Sequence, residues 1–350
     1  MNQQRMRVAQ LIAQHQFQMT DAPVPDPGPG EVQVRVAYVG ICGSDLHNFS
    51  EGSVGDTPSV YPMVLGHEPS GIVVKTGAGV SGWAAGDEAA LEPAVYCYHC
   101  EFCMRGRHNV CSHIRFLSQP ADPGFFRDFV NLPAHNLLAK PAGVGLKELT
   151  LFEPLAVVLH SLEFVQLRAG ETFAVFGAGP IGLMTIAALK MSGAGRVYAV
   201  DPVPHRRELA RVMGADVVID PAQVSAGAEI MRDTNGRGVD ASIDCAARDG
   251  SMNEALIATR NAGRVIITGI PPEPEPSLKF HVARRKELAI YNVRRSNNES
   301  ALALRILATD AKRFAPMLTH TMGLEQIQAG FTMLESYSDG VGKICIEVSR

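Results

Sequence analysis

Four of the seven cysteines of this chain fall in one stretch, CYHCEFCMRGRHNVC, residues 97–111. Cys97, Cys100, Cys103 and Cys111 follow C-x2-C-x2-C-x7-C, a spacing that lets a short loop wrap one ion and present four thiolates at the corners of a tetrahedron. The chemistry this suggests is a closed, structural zinc site with no position left for a substrate. A redox pair, an iron–sulfur cluster and four unrelated buried thiols are the competing readings. Zinc would supply folding energy to a loop of Arg, His and Asn that has little core of its own.

A second set of ligand types is spread over three segments. GICGSDLH at 40–47 and LGHEPSG at 65–71 offer Cys42, His67 and Glu68: a soft thiolate, an imidazole and a carboxylate, which together suit a zinc ion with one position open for chemistry. Taken singly, Cys42 reads equally as a core thiol and His67 as a loop histidine. LFEPLAVVLH at 151–160 adds Glu153 at the mouth of an otherwise apolar helix, where packing does not account for a carboxylate.

A third constellation is Gly177-Ala-Gly179-Pro180-Ile181-Gly182. It follows an apolar strand, opens a helix and precedes Asp201 at the end of the next strand, the context in which glycines let backbone approach a pyrophosphate at a helix N-terminus. Asp201 would accept hydrogen bonds from the adenosine ribose and repel a 2′-phosphate, so NAD is expected over NADP. A Gly-rich turn with an acid that only caps the next helix is the ordinary alternative. Arg206 is expected on the adenine side, or as a solvated helix arginine.

These residues need elements to hold them. EVQVRVAYVGI at 31–41 alternates and then turns continuously apolar, as a strand entering a core does, and the first 150 or so residues read as short strands and loops among Gly and Pro. From about residue 170 strands and helices alternate through TFAVFGAG, PIGLMTIAALKM, RVYAVD, PHRRELARVM, DVVID, VDASIDCA, MNEALIATR, GRVIITGI and ELAIYNV. Six strands with connecting helices predict an α/β fold with a doubly wound parallel sheet. ESALALRILA then reads as a helix and GKICIEVS as a closing strand.

The 350 residues fit two domains; 46% are hydrophobic and 19% charged, with a net charge of -4. That balance gives no reason to approach nucleic acid or anionic membrane, despite the local patch at Arg284, Arg285 and Lys286. No apolar run suits a signal peptide or a membrane span, so a cytoplasmic protein is expected, where a tight cysteine cluster reads as a metal site before it reads as disulfides.

The glycine-framed GICGSDLH, GHEPSG, the four-cysteine lobe, FEPLAVVLH and GAGPIG, in this order and spacing, resemble the zinc-containing medium-chain dehydrogenases across essentially the whole chain. Within them the polyol dehydrogenases are most similar, with L-idonate and L-threonine dehydrogenases nearby. The resemblance implies a GroES-like β-rich catalytic domain at 1–155 and 295–350, with the zinc lobe at about 93–115, and a Rossmann NAD-binding domain at 156–294. It implies two zinc ions per chain, the first held by Cys97, Cys100, Cys103 and Cys111. For the catalytic one it implies Cys42 and His67, Glu68 as a direct ligand, and Glu153 binding directly or through a water; which carboxylate is the resting third ligand stays open. Ser44 and His47 match the family's proton relay, although an N-cap serine and a surface histidine are their plain alternatives.

Gly269, Ile270 and Val293 complete the expected cofactor positions, and Asn48, Phe116, Gln119, Arg294 and Arg295 the expected substrate surroundings. Polar Asn48 and Gln119 suggest several hydroxyls, and Arg295 a carboxylate, so a polyol or sugar acid is the expected substrate; Arg294 and Arg295 serve equally for cofactor phosphates or a subunit contact. The expected reaction removes a proton from a secondary hydroxyl and hydride from the carbon that bears it, giving a ketone. L-Threonine and general secondary alcohols are the alternative substrates. A catalytically inactive NAD-binding sensor and a zinc-independent quinone reductase are the rival classes, and neither accounts for the full set of ligands and the lobe. A homodimer or homotetramer joined through ELAIYNV is implied.

Overall fold

In the computed structural model, which describes residues 4–349, the chain forms two units. One comprises Met1–Pro154, Asn297–Ala311 and Leu318–Arg350, the other Leu155–Ser296 and Lys312–Met317.

The first unit is built on the strand Glu31–Gly40. Val32, Val34 and Val36 alternate into the core, a register shift between Val36 and Tyr38 follows, and Val39 is therefore also turned inward, all four fully buried. Each buried valine contributes about 1.5–3 kcal/mol. The sheet order is Leu137–Ala139, Glu88–Leu91, Glu68–Thr76, Glu31–Gly40, Lys343–Glu347, Leu318–Gly323, with Phe129–Pro133 pairing along the first half of Glu31–Gly40. At the other end of that strand Gly40 lies opposite Glu68 on one side and Cys345 on the other. This row brings three distant parts of the sequence together where the chain leaves the sheet toward Cys42. Phe49, Phe126 and Phe331 close the core beside it.

The second unit carries a parallel sheet in the order Val217–Ile219, Arg196–Val200, Thr172–Phe176, Val239–Asp244, Thr259–Ile267, Ala289–Asn292. This is the doubly wound order 3-2-1-4-5-6, and its reversal falls between Thr172–Phe176 and Val239–Asp244, the crevice where such sheets bind dinucleotides. Central strands covered on both faces read as apolar runs, and Val239–Asp244 is buried at every position. The helix Pro180–Met191 starts with Pro at its first turn and buries eight consecutive residues. MNEALIATR ends its helix at Ala258, and Thr259 begins the next strand. Lys286, part of the basic patch, donates to the carbonyls of Leu256, Ile257 and Thr259 and so caps that helix end. The short helix Ala226–Asp233, capped by Ser225, has no counterpart in the sequence reading. Among the described residues no helix is long and apolar enough to cross a membrane.

Candidate functional site

The lobe gathers its cysteines as their spacing predicts. The four Sγ atoms of Cys97, Cys100, Cys103 and Cys111 lie within 4.8 Å of one another, with Cys97–Cys103 and Cys100–Cys111 at 3.9 Å and Cys97–Cys111 at 3.5 Å. A tetrahedron with Zn–S of about 2.3 Å has edges of about 3.8 Å, so the cradle fits one ion. An iron–sulfur cluster, whose irons each take their own thiolates, would hold the sulfurs further apart. Local backbone supports the charge: Cys100 N–H points at Cys97 Sγ at 3.3 Å and His113 N–H at Cys111 Sγ at 3.4 Å. The N–H of Cys103 is the largest influence that brings the Cys100 thiol down to about 5, against the cost of its burial. Cys100 caps the short helix Glu101–Met104, which explains that aim.

The second ligand set stands at the end of the first unit's sheet. Cys42 caps the helix Gly43–Ser50, and the turn before it is braced by Asp45, which is buried to 1% exposure. Asp45 Oδ1 accepts from Ser118 Oγ (2.9 Å) and Gly66 N–H (3.2 Å) and lies 3.3 Å from His67 Nδ1, while Oδ2 accepts from Cys42 N–H (3.2 Å). The carboxylate faces Nδ1 at ion-pair distance without a formed hydrogen bond and leaves Nε2 on the far side of the ring, the side from which an imidazole so oriented binds a metal. Burial disfavours the imidazolium, yet Asp45 and Cys42 outweigh it and hold His67 well above the ordinary histidine range. Nothing in the sequence reading pointed to Asp45; its position three residues after Cys42, at the start of a helix, is the signal that could have.

Glu153 is buried and, among the described residues, in no ion pair; desolvation pushes its carboxyl up to about 8, with His67 the largest opposing influence and Glu68 adding to the rise. Two buried carboxyls, an imidazole and a thiol at one place form a donor set that fits a divalent cation. The atoms are not closed around a point, however. Among the described residues the lobe is the one group of three or more such donors within 4.8 Å of one another. Glu68 Oε2 sits 2.5 Å from the ammonium of Lys343, both side chains 1% exposed, and Lys343 is a residue the sequence reading passed over.

Ser44 Oγ lies 3.5 Å from His67 Nε2, whereas His47 Nδ1 meets Glu51 at 2.9 Å, one helical turn on. The two members of the expected relay thus face different partners. The ring of Phe116 lies 5.3 Å from that of His67, tilted at 57° to it. Asn48, expected among the substrate surroundings, is 5% exposed; its amide donates to Ser44 O (3.0 Å) and accepts from Ser59 Oγ (2.7 Å), which ties the helix to the next loop. Gln119 is half-buried and pairs through its backbone with Asp122. Arg294 and Arg295 both belong to the second unit, Arg294 exposed and Arg295 half-buried with φ +53°.

In the second unit the glycines do what the motif requires. Gly177 takes φ +89°, and a Cβ there would meet Ala246 at 3.0 Å across the crevice; a Cβ on Gly182 would lie 1.8 Å from Gly177 O. Gly179 caps Pro180–Met191 with no side-chain cap hydrogen bond, Ile181 follows in the first turn, and Gly269 packs against Ala247 on the neighbouring strand end. Ile270 is 42% exposed, and Val293 N–H closes the last strand on Ile267 O. Asp201 accepts from Ala178 N–H at 2.7 Å and Val203 N–H at 2.8 Å, joining the glycine turn to the next strand; each oxygen keeps a second lone pair. Arg206, expected on the adenine side or as a solvated helix arginine, places Nη1 3.9 Å from where a Gly179 Cβ would be, beside the N-terminal end of Pro180–Met191.

This pairing of a parallel dinucleotide sheet with a β-rich unit holding two cysteine-based ligand sets defines a zinc-type, nicotinamide-dependent dehydrogenase. The alcohol dehydrogenase GroES-like domain matches residues 28–142 and the zinc-binding dehydrogenase domain residues 180–309. The chain is 33% identical to sorbitol dehydrogenase of Bacillus subtilis over 99% of its length and 98% of the relative's. Among solved structures, a zinc-binding dehydrogenase of Sinorhizobium meliloti bound to NADP superimposes with a TM-score of 0.90 at 27% identity, over 99% of this chain and 100% of that one. L-Idonate 5-dehydrogenase of Escherichia coli does so at 0.89 and 25%, covering 99% of each. The chain belongs to the zinc-containing medium-chain dehydrogenases, among their polyol dehydrogenases.

Proposed function

We propose that this protein is a cytoplasmic, NAD-dependent polyol dehydrogenase that oxidises a secondary hydroxyl of a sugar alcohol or related sugar acid to the ketone. It would carry two zinc ions, one in the cysteine lobe and one held by Cys42, His67 and the Glu153 carboxylate, with Glu68 alongside. The bound zinc would polarise the substrate hydroxyl, and the nicotinamide would accept hydride. This chain's residues do the rest. Asp45 orients the His67 ring, Phe116 walls the site beside it, and Ser44, within reach of His67 Nε2, is placed to take the substrate proton. His47, held by Glu51, is placed to pass that proton to water. In residues 156–294 the glycine turn and Arg206 take the pyrophosphate, and the remaining lone pairs of Asp201 favour a ribose hydroxyl over a phosphate. Assembly as a homodimer or homotetramer would use the open edge Ala289–Asn292.

The observation that carries this reading is the braced Cys42–Asp45–His67 corner with two buried carboxyls beside it, in a chain similar to a sorbitol dehydrogenase along its whole length. The test is a coupled assay with NAD and NADP over polyols, aldonic acids, threonine and simple alcohols. Polyols or aldonates with NAD should lead by roughly a hundredfold over ethanol, since each polar group left unpaired around a simple alcohol costs about 1–3 kcal/mol. Ethanol or benzyl alcohol outperforming every polyol and aldonate would refute the substrate class, and equal use of both coenzymes would refute the role of Asp201.

A further inference from the structure

We propose that Ser118 is a positioning residue for substrate recognition: its hydroxyl, bonded to Asp45, holds the turn at 119–122 against the His67 corner, where Gln119 meets a substrate hydroxyl remote from the reacting carbon. This rests on the reading of that corner as the place where a polyol reacts. The ring of Phe116 lies beside that of His67, Ser118 Oγ donates to Asp45 Oδ1 at 2.9 Å, and that oxygen is 3.3 Å from His67 Nδ1. Gln119, Pro120, Ala121 and Asp122 then form a β-turn, closed by Asp122 N–H on Gln119 O at 3.0 Å. Proline stands second in it, where its fixed φ suits the turn. Ser118 N–H donates to Asp122 O at 2.9 Å, and Arg115 braces the far end through Asp122 Oδ1 at 2.6 and 2.8 Å.

Ser118 has φ +98° and is 2% exposed. In that region a Cβ crowds the backbone and glycine is the usual occupant, yet the chain places a serine there. Burying its hydroxyl adds a second cost unless a bond is made. Glycine would avoid both, so the fold alone gives no reason for serine. The bond to a carboxylate, the stronger class of hydrogen bond, does. Asp45 is itself held by the N–H groups of Cys42 and Gly66. Ser118 thus ties the turn to the point that orients His67, and one bond relates Gln119 to the reacting end of the substrate. Among the described residues nothing in the protein hydrogen-bonds the Gln119 side-chain amide. Its donor and its acceptor are left for a ligand with several hydroxyls.

The test compares full-length wild type and variants on sorbitol, which carries remote hydroxyls, and propan-2-ol, which carries none. Ser118→Gly relieves the backbone and removes the bond. The ratio of kcat/KM for sorbitol to that for propan-2-ol should fall about tenfold, carried mainly by KM for sorbitol. Gln119→Ala should give the same fall, and the double variant no more than either alone, since both remove one interaction. Ser118→Ala should match Ser118→Gly in this ratio and lie below it in Tm, because alanine keeps the crowded backbone. An unchanged ratio, or falls that multiply in the double variant, overturns the proposal. Hydrogen exchange gives an answer that needs no turnover. The amides of Gln119, Asp122 and Gly124 should exchange about tenfold faster or more in Ser118→Gly, against steady rates for Val34 and Val36. Unchanged exchange in the turn overturns the proposal as well. A wild type that oxidises propan-2-ol and not sorbitol removes the polyol reading, and this one with it.

Discussion

Replacing Asp45 by Asn changes one oxygen for an amide in a buried hub, and the structure says what must follow. Oδ1 serves Gly66 N–H and Ser118 and stands by His67, while Oδ2 serves Cys42 N–H. An asparagine has one acceptor to set against these two groups of donors. Whichever way the amide turns, an NH2 faces a buried N–H or the imidazole, at a cost of about 1–3 kcal/mol. The charge that orients His67 is lost as well, and losses of this kind typically weaken metal binding 10–100-fold, or about 1.4–2.7 kcal/mol. Competition of the purified variant against a chelator of known zinc affinity reads the second effect, and denaturant unfolding of the metal-free protein reads the first. The sign with pH is fixed: burial works to raise the Asp45 carboxyl, but His67 and the backbone N–H groups of Cys42 and Gly66 hold it below its ordinary 3.8. Its contribution is therefore present above about pH 4 and lost as pH falls through the folded value. Wild-type zinc affinity in Asp45→Asn, with unchanged stability, would refute the bracing role.

Glu153 has the opposite sign. With its carboxyl raised by burial from 4.5 to about 8, metal-free protein should lose stability as pH rises between those values, because the native state alone keeps the proton; urea unfolding across that range should show a slope that Glu153→Gln flattens. Gly182→Ala drives a Cβ to 1.8 Å from Gly177 O, so nucleotide binding measured by calorimetry should fall at least tenfold, with a lower Tm, whereas exposed Gly250→Ala, which meets no atom within 4 Å, should be neutral. Cys100→Ser should remove one zinc per chain by metal analysis and make the lobe sensitive to proteolysis while the Cys42-dependent zinc remains.

Much of this was legible in the sequence because the signals are local. The lobe follows from four cysteines in fifteen positions, and the dinucleotide turn from glycines set between a strand and a helix. The doubly wound parallel sheet was legible as well, since βα alternation with apolar central strands leaves few topologies. What escaped was non-local. Lys343 reads as an ordinary strand lysine until the register sets Lys343–Glu347 beside Gly40 and Glu68. The sequence does not show that Ser59 and the carbonyl of Ser44 engage the Asn48 amide.

The register that seats Lys343 also sets an order of events during synthesis. Lys343 and the Ile41 carbonyl it binds are 302 residues apart, which at about 5–20 residues per second is on the order of 15–60 s of translation. The lobe is complete once Cys111 has emerged, so it can take its ion almost at once. The Cys42 corner has to wait for the strand Lys343–Glu347 before Glu68 is restrained and the sheet end is closed. A ribosome-bound chain arrested after Val293 should therefore retain the lobe zinc alone, and finding both ions on it would show that the sheet end closes without its final strand.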